Sequence, residues 1–185
     1  MAKCVCPWWL GYLLASPIRR WMKSPAKILA PYVREGMTVL EPGPGMGFFT
    51  LDLARLVGGS GRVVAVDIQS KMLDGLKRRA AKAGLLDRLD LRLAPAESLS
   101  LNGLAGAVDF TLASAVVHEV PDAGRFFAEV AEASKPGARL LLIEPKAHVN
   151  AQEFEEELQL AGRAGFGPLD RLSVGRGRGA LLKKG

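Results

Sequence analysis

The stretch Glu41-Pro42-Gly43-Pro44-Gly45-Met46-Gly47 sets an acid ahead of three glycines at alternate positions. Glycines in such a run let the backbone turn sharply and meet a ligand without an intervening Cβ. The spacing is not the Gly-x-Gly-x-x-Gly of dinucleotide binders. No Gly-Lys-Ser/Thr follows, so it is not a phosphate-binding P-loop either. A carboxylate at Glu41 would repel a diphosphate and suits a ligand carrying an ammonium and a sulfonium. Asp67, twenty positions beyond Gly47, closes the next β-branched run, where a carboxylate can accept both hydroxyls of a ribose. A third group is His118, Glu144 and His148. His118 falls near the end of a predicted fourth strand, and an imidazole titrates near neutral pH, so it is the candidate general base. A histidine that caps or packs a strand end fits the same position. Glu144 ends a predicted fifth strand and His148 follows it. Both then border the expected substrate pocket, or Glu144 caps a neighbouring helix.

Strands and helices must alternate to hold these groups. Thr38 to Glu41 reads as a strand, Phe48 to Val57 as a helix stopped by Gly58-Gly59, and Arg62 to Asp67 as a buried parallel strand. Lys71 to Ala83 carries Leu73, Leu76, Ala80 and Ala83 on one helical stripe, with Gly84 as terminator. Leu89 to Leu93 and Val108 to Ala113 are the next strands. Asp122 can cap a helix bearing Phe126, Phe127 and Val130, which Pro136-Gly137 is expected to end. Arg139 to Glu144 is a further buried strand, and Asn150 with Glu153 predicts a capping box for a helix to about Gly165. Phe166 to Val174 and Arg178 to Lys183 read as two closing strands. Such alternation implies a parallel sheet covered by helices. Residues 1–34 are expected to form a helical appendage or lid, with Ser24-Pro25 opening a short helix, and residues 35–185 the ligand-binding domain.

A chain of 185 residues fits one core, and 49% apolar with 24% charged residues is ordinary for a globular protein. Cys4 and Cys6 stand too close for a structural disulfide and fall short of a four-ligand zinc site, so no metal is expected. The apolar run from Cys4 to Ala15 is broken by Pro7, contains Trp8, Trp9 and Tyr12, and precedes no Ala-x-Ala site. The expectation is therefore a cytoplasmic protein without a membrane span. The aromatic residues and thiols of this run anchor the segment, enclose a substrate, or bind a soft metal or metalloid. The net charge of +6 is dispersed and lacks aromatic–basic alternation, which disfavours nucleic acid as a partner.

From about residue 24 onward the chain resembles the class I S-adenosylmethionine-dependent methyltransferases of the small-molecule type. The resemblance rests on Val39 to Gly47 and Val64-Ala65-Val66-Asp67. Ala96-Glu97-Ser98-Leu99, Val117-His118-Glu119-Val120-Pro121-Asp122 and Lys135-Pro136-Gly137-Ala138-Arg139-Leu140 support it. It implies a Rossmann-like three-layer α/β sandwich whose seven-stranded mixed sheet has the order 3-2-1-4-5-7-6, the last strand antiparallel. It also implies site roles for S-adenosyl-L-methionine. Glu41, Gly43, Pro44, Gly45, Met46 and Gly47 would hold the amino-acid end, and Asp67 the ribose. Ile68 and Met72 would flank the adenine, Ala96 would offer it a backbone N–H with Glu97 beside, and Ser114 would lie near the methionine part. Where the family often has an Asp before the Ala, this chain has Pro95, so adenine recognition falls to backbone groups or Glu97.

Methyl transfer from a sulfonium is an in-line displacement, which alignment can accelerate by ~7–11 kcal/mol. A base such as His118 adds ~10²–10⁴ in rate for an alcohol or phenol acceptor. The reading is a methyltransferase acting on a small molecule. An RNA or protein methyltransferase and a non-catalytic cofactor-binding module are the alternatives. An RNA substrate is weakened because Ser114-Ala115-Val116-Val117 stands where Asn/Asp-Pro-Pro-Tyr would. A dinucleotide-dependent oxidoreductase is disfavoured by Glu41 and the glycine spacing. The sequence leaves the oligomeric state open between monomer and homodimer.

Overall fold

The structure, a computed structural model, describes residues 25–175 and 177–185. Cys4, Cys6, Trp8, Trp9, Tyr12 and the expected N-cap Ser24 lie outside them. The short helix foreseen after Ser24 is present as α1, Pro25–Leu29. Tertiary contacts divide the chain into two compact halves that meet in sequence between Ala94 and Pro95.

The first half holds β1 (Thr38–Pro42), α2 (Thr50–Leu56), β2 (Arg62–Asp67), α3 (Ser70–Lys82), a 3-10 turn (Leu86–Arg88) and β3 (Leu89–Leu93). β1 and β2 pair in parallel with Leu40 opposite Val64, and β2 and β3 with Ala65 opposite Leu91. Val63, Val64, Ala65 and Val66 are all buried, as a strand covered on both faces requires. α3 turns Leu73, Leu76 and Ala80 of its predicted stripe inward together with Met72, whereas Ala83, beyond the last helical residue, is exposed. It stops at Gly84, whose φ of +65° lets Leu85 N donate to Ala80 O at 3.0 Å and Gly84 N to Ala81 O at 3.1 Å. Those two bonds satisfy carbonyls that a helix end would otherwise leave open.

The second half holds β4 (Val108–Ser114), a 3-10 turn (Val117–Glu119), α4 (Ala123–Ala133), β5 (Ser134–Pro145), α5 (Ala151–Arg163), β6 (Phe166–Val174) and β7 (Gly177–Lys184). Asp122 caps α4 by accepting from Arg125 N at 3.0 Å. The Asn150 capping box is present in both directions, at 3.0 Å from Glu153 N and 2.7 Å to the Glu153 carboxylate. β4 and β5 are parallel, whereas β7 runs antiparallel to both β5 and β6. The strand order is β3-β2-β1-β4-β5-β7-β6, as the resemblance implied.

The largest departures from the expected boundaries are at α2, α4 and β5. α2 begins at Thr50 instead of Phe48. α4 ends at Ala133, before Pro136-Gly137, and β5 starts at Ser134. Val108 pairs with Ser134 but Phe110 with Arg139, so residues 135–138 bulge out of β5 with Gly137 at φ +79°. A proline is tolerated within a strand at such a bulge, where its missing N–H breaks no ladder bond. No described helix is long and apolar enough to cross a membrane.

Candidate functional site

In the first half the site grows from the end of β1. Gly43, Gly45 and Gly47 all take positive φ, +65°, +54° and +83°, in the left-handed region that side chains rarely enter. Gly43 N donates to Val66 O at 2.8 Å, tying the loop to β2. A Cβ on Gly47 would stand 2.5 Å from Leu76 Cδ1, so the third glycine also lets the loop pack closely on α3. Met46 turns away from the loop, buried with Met72 and seated over Gly75, where a Cβ would lie 2.9 Å from Met46 Cγ. The Arg79 guanidinium donates to the Met46 carbonyl and fixes the loop from α3.

Glu41 and Asp67 end adjacent parallel strands. Glu41 is 4% exposed, and its Oε2 meets no hydrogen-bond partner among the described residues. Burial pushes its carboxyl up to about 8; the Thr50 hydroxyl opposes the rise and the negative charge of Asp67 adds to it. Asp67 is nearly buried, with Oδ1 accepting from Gln69 N at 2.9 Å, a bond that fixes the carboxylate at the turn into α3. Ile68 follows it and is exposed, whereas Met72 is buried against Met46. A buried acid with an open oxygen beside bare positive-φ backbone fits a small cation with an amino-acid tail. A carboxylate at the strand end fits a sugar's hydroxyls.

In the second half Ala96 and Glu97 are exposed on the segment after β3. That segment is pinned where Glu129 Oε2 accepts from Ser98 Oγ at 3.1 Å and Leu99 N at 2.6 Å. Ser114 is half-buried at the end of β4, and Ala115 after it holds φ +55° while donating to Ile143 O at 2.8 Å. A left-handed alanine costs of order 1–3 kcal/mol and persists only where its surroundings enforce it. It swings the chain into the 3-10 turn that carries His118.

Glu144, wholly buried at the end of β5, serves that turn with both oxygens. Oε1 accepts from Val117 N at 2.9 Å and Oε2 lies 2.6 Å from His118 Nδ1. The sequence had left Glu144 between pocket and cap; it caps the turn and at the same time orients the imidazole. The hydrogen bond to Glu144 raises the His118 pKa above its ordinary value. Partial burial opposes this, and the charges of Glu144, Glu119 and Glu157 add to it. His148 comes to the other side of the ring, its Nδ1 3.3 Å from His118 Nε2 and the two rings edge to face. Sequence reasoning placed both histidines after strand ends but not against each other. The available signal was that each follows one of two parallel neighbouring strands. No cluster of three or more metal-ligating side chains occurs among the described residues.

Comparison with known proteins identifies the family. The methyltransferase-domain family matches residues 33–165. A ubiquinone/menaquinone biosynthesis C-methyltransferase of Brucella canis is 30% identical over 126 residues, 68% of this chain and 46% of the relative. Its counterpart from Escherichia coli O1:K1 / APEC is 32% identical over 112 residues, 60% of this chain and 44% of the relative. The chain thus spans less than half the length of these curated relatives. A crystal structure of a SAM-dependent methyltransferase from Aquifex aeolicus superposes with a TM-score of 0.85 at 26% identity, covering 97% of this chain and 99% of that one. With the family profile spanning most of its length and the expected strand order in place, the chain belongs to the class I S-adenosylmethionine-dependent methyltransferases.

Proposed function

We propose that the protein transfers a methyl group from S-adenosyl-L-methionine to a small molecule whose nucleophile is unmasked by losing a hydroxyl proton. The observation that carries the cofactor assignment is the buried, unpartnered oxygen of Glu41 beside the glycine loop. An acid so placed gains most from a cationic ligand, since an unpaired buried polar atom costs roughly 1–3 kcal/mol. In this reading Glu41 and the backbone of residues 43–47 receive the ammonium and carboxylate of the amino-acid end. Asp67 holds the ribose, and Ile68 and Met72 stand by the adenine. The roles that the family resemblance implies for Ala96, Glu97 and Ser114 belong to the same proposal. Bound S-adenosylmethionine supplies a methyl group on a positively charged sulfur, which leaves with the bonding electrons as the acceptor attacks.

A hydroxylated acceptor is supported by His118, whose Nδ1 is held by a buried carboxylate, an arrangement that fixes an imidazole in one tautomer and favours its protonated form. The curated relatives, named for C-methylation in quinone biosynthesis, support the same chemical class at low identity. Calorimetric titration of the full chain with S-adenosylmethionine tests the reading. Binding is expected in the wild type and in His118→Ala and lost in Asp67→Ala. Unchanged affinity in Asp67→Ala would overturn it.

A further inference from the structure

The chain contains two histidines, and the fold brings them together from positions thirty residues apart. We propose that Glu144, His118 and His148 form a proton relay whose outer end, Nε2 of His148, takes up the hydroxyl proton of the methyl acceptor. The proposal rests on the functional reading above for the acceptor, but the relay itself is a property of the chain.

The direction of the relay follows from which atoms can donate. A carboxylate of Glu144 accepts only, so the proton between it and His118 sits on Nδ1. Neutral His118 then presents Nε2 as an acceptor, and among the described residues the atom at hydrogen-bond distance there is His148 Nδ1, 3.3 Å away. His148 must donate from Nδ1, which leaves its own Nε2 unprotonated. His148 is exposed, and its Nε2 has no hydrogen-bond partner among the described residues. The open lone pair therefore belongs to His148, while His118 is occupied on both nitrogens. Proton uptake runs inward. A proton arrives at His148 Nε2 as the Nδ1 proton passes to His118 Nε2. The result is neutral His148 in its other tautomer and a His118 imidazolium paired with the Glu144 carboxylate. The acceptor's oxygen keeps the electron pair of its O–H bond, and the proton later returns to water by the reverse path.

The surroundings favour a positive charge at the inner ring. Besides Glu144 from β5, His118 faces Glu119 on its own turn, with Oε1 4.0 Å from Nε2, and feels Glu157 from α5. His148, on the connector after β5, is the one group in this set that can share the proton. Glu144 is here a positioning residue, acting through His118.

With only two imidazoles in the chain, nitrogen-15 magnetic resonance of the full-length protein reads each one directly. At high pH the expected tautomer is Nδ1–H for both rings. On acidification the His118 step should be accompanied by a change in the His148 Nδ1 resonance, because the two rings share a hydrogen bond. In His148→Asn the His118 step should fall, because the imidazolium loses the ring that accepts from its Nε2–H. Glu144→Gln should lower the His118 step. His148→Asn, a surface change, keeps the question decidable if Glu144→Gln fails to fold. With the chain saturated in S-adenosylhomocysteine, added hydroquinone should move the His148 Nε2 resonance more than either His118 resonance. Independent titration of the two rings, Nε2–H on His148 at high pH, or no movement of His148 Nε2 with hydroquinone would each overturn the relay. Failure of S-adenosylhomocysteine to bind would instead strike the functional reading.

Discussion

Glu41 and Glu144 are the same residue type at equivalent places, each closing a buried parallel strand, and they lead opposite lives. Glu144 has no solvent exposure and spends both oxygens inside the chain, on Val117 N and His118 Nδ1. Glu41 is buried almost as deeply, yet one oxygen is left without a partner and its carboxyl is pushed up to about 8. Burial alone therefore does not decide what a carboxylate is for. The one satisfied by its own chain sets the geometry of a neighbour, and the one left open is, in the function proposed above, the group that receives a ligand's charge.

The contrast can be broken by substitution. The largest effect is expected at the ligand side, where Asp67→Ala should weaken S-adenosylmethionine binding by roughly 100-fold or more, about 2.7 kcal/mol. His118→Ala should stay within about twofold in the same calorimetric titration. Next comes stability in urea. Glu144→Ala strips the bonds to Val117 and His118 and should cost about 2–4 kcal/mol. Glu41→Gln, which removes an unpaired buried acid, should cost less than about 1 kcal/mol or stabilise the unliganded protein. Equal losses would erase the distinction between the two acids.

A third test uses pH. Glu41 has a folded-state value raised to about 8 from an ordinary 4.5, so the folded chain keeps a proton that the unfolded chain has released. Its contribution to the unliganded protein is present below about 4.5 and is lost as pH rises toward about 8. His118, also raised, acts in the same direction: its contribution is full below its unfolded value and falls as pH climbs through the folded one. Stability should thus decline from mildly acidic to mildly alkaline pH, less steeply in Glu41→Gln. Ligand affinity should move the other way, since a cation binds the ionised acid. Calorimetry at neutral pH in buffers of different ionisation enthalpy should register proton release that Glu41→Gln abolishes. Two further effects lie in the loop. Gly47→Ala combines positive φ with a contact on Leu76 and should cost ~2 kcal/mol. Gly45→Ala, with open space around it, should cost only its backbone strain, ~1 kcal/mol, in thermal melts.

The glycine loop, the strand-end Asp67 and both helix caps were legible because each is a local rule written in neighbouring residues. The seven-stranded order came through the family resemblance and not through periodicity. The end of α4 was misread because Pro136-Gly137 looks like a helix stop from either side. Only the register between β4 and β5 shows it to be a bulge inside a strand. The pairing of His118 with His148 had no local signature at all, since it depends on two turns being delivered side by side by parallel strands. Likewise, nothing in the residues around Glu41 and Glu144 distinguishes the open acid from the closed one. That difference arises from which N–H groups the fold happens to aim at each.

The connector between β5 and α5 is tied at every point that matters. His148 N and Val149 N both donate to Pro145 O at 3.0 Å, Arg178 donates to Val149 O at 2.7 Å, and the Asn150 box locks the helix start. A surface imidazole is thereby mounted on a stiff bracket. Lys146 and Ala147, exposed on the same bracket, make none of these ties, so exchanging them re-dresses the ground beside His148 while its post stays where it is. If the proposed relay holds, variation at those two positions would change the chemistry beside His148 without disturbing the hydrogen bonds that hold its backbone.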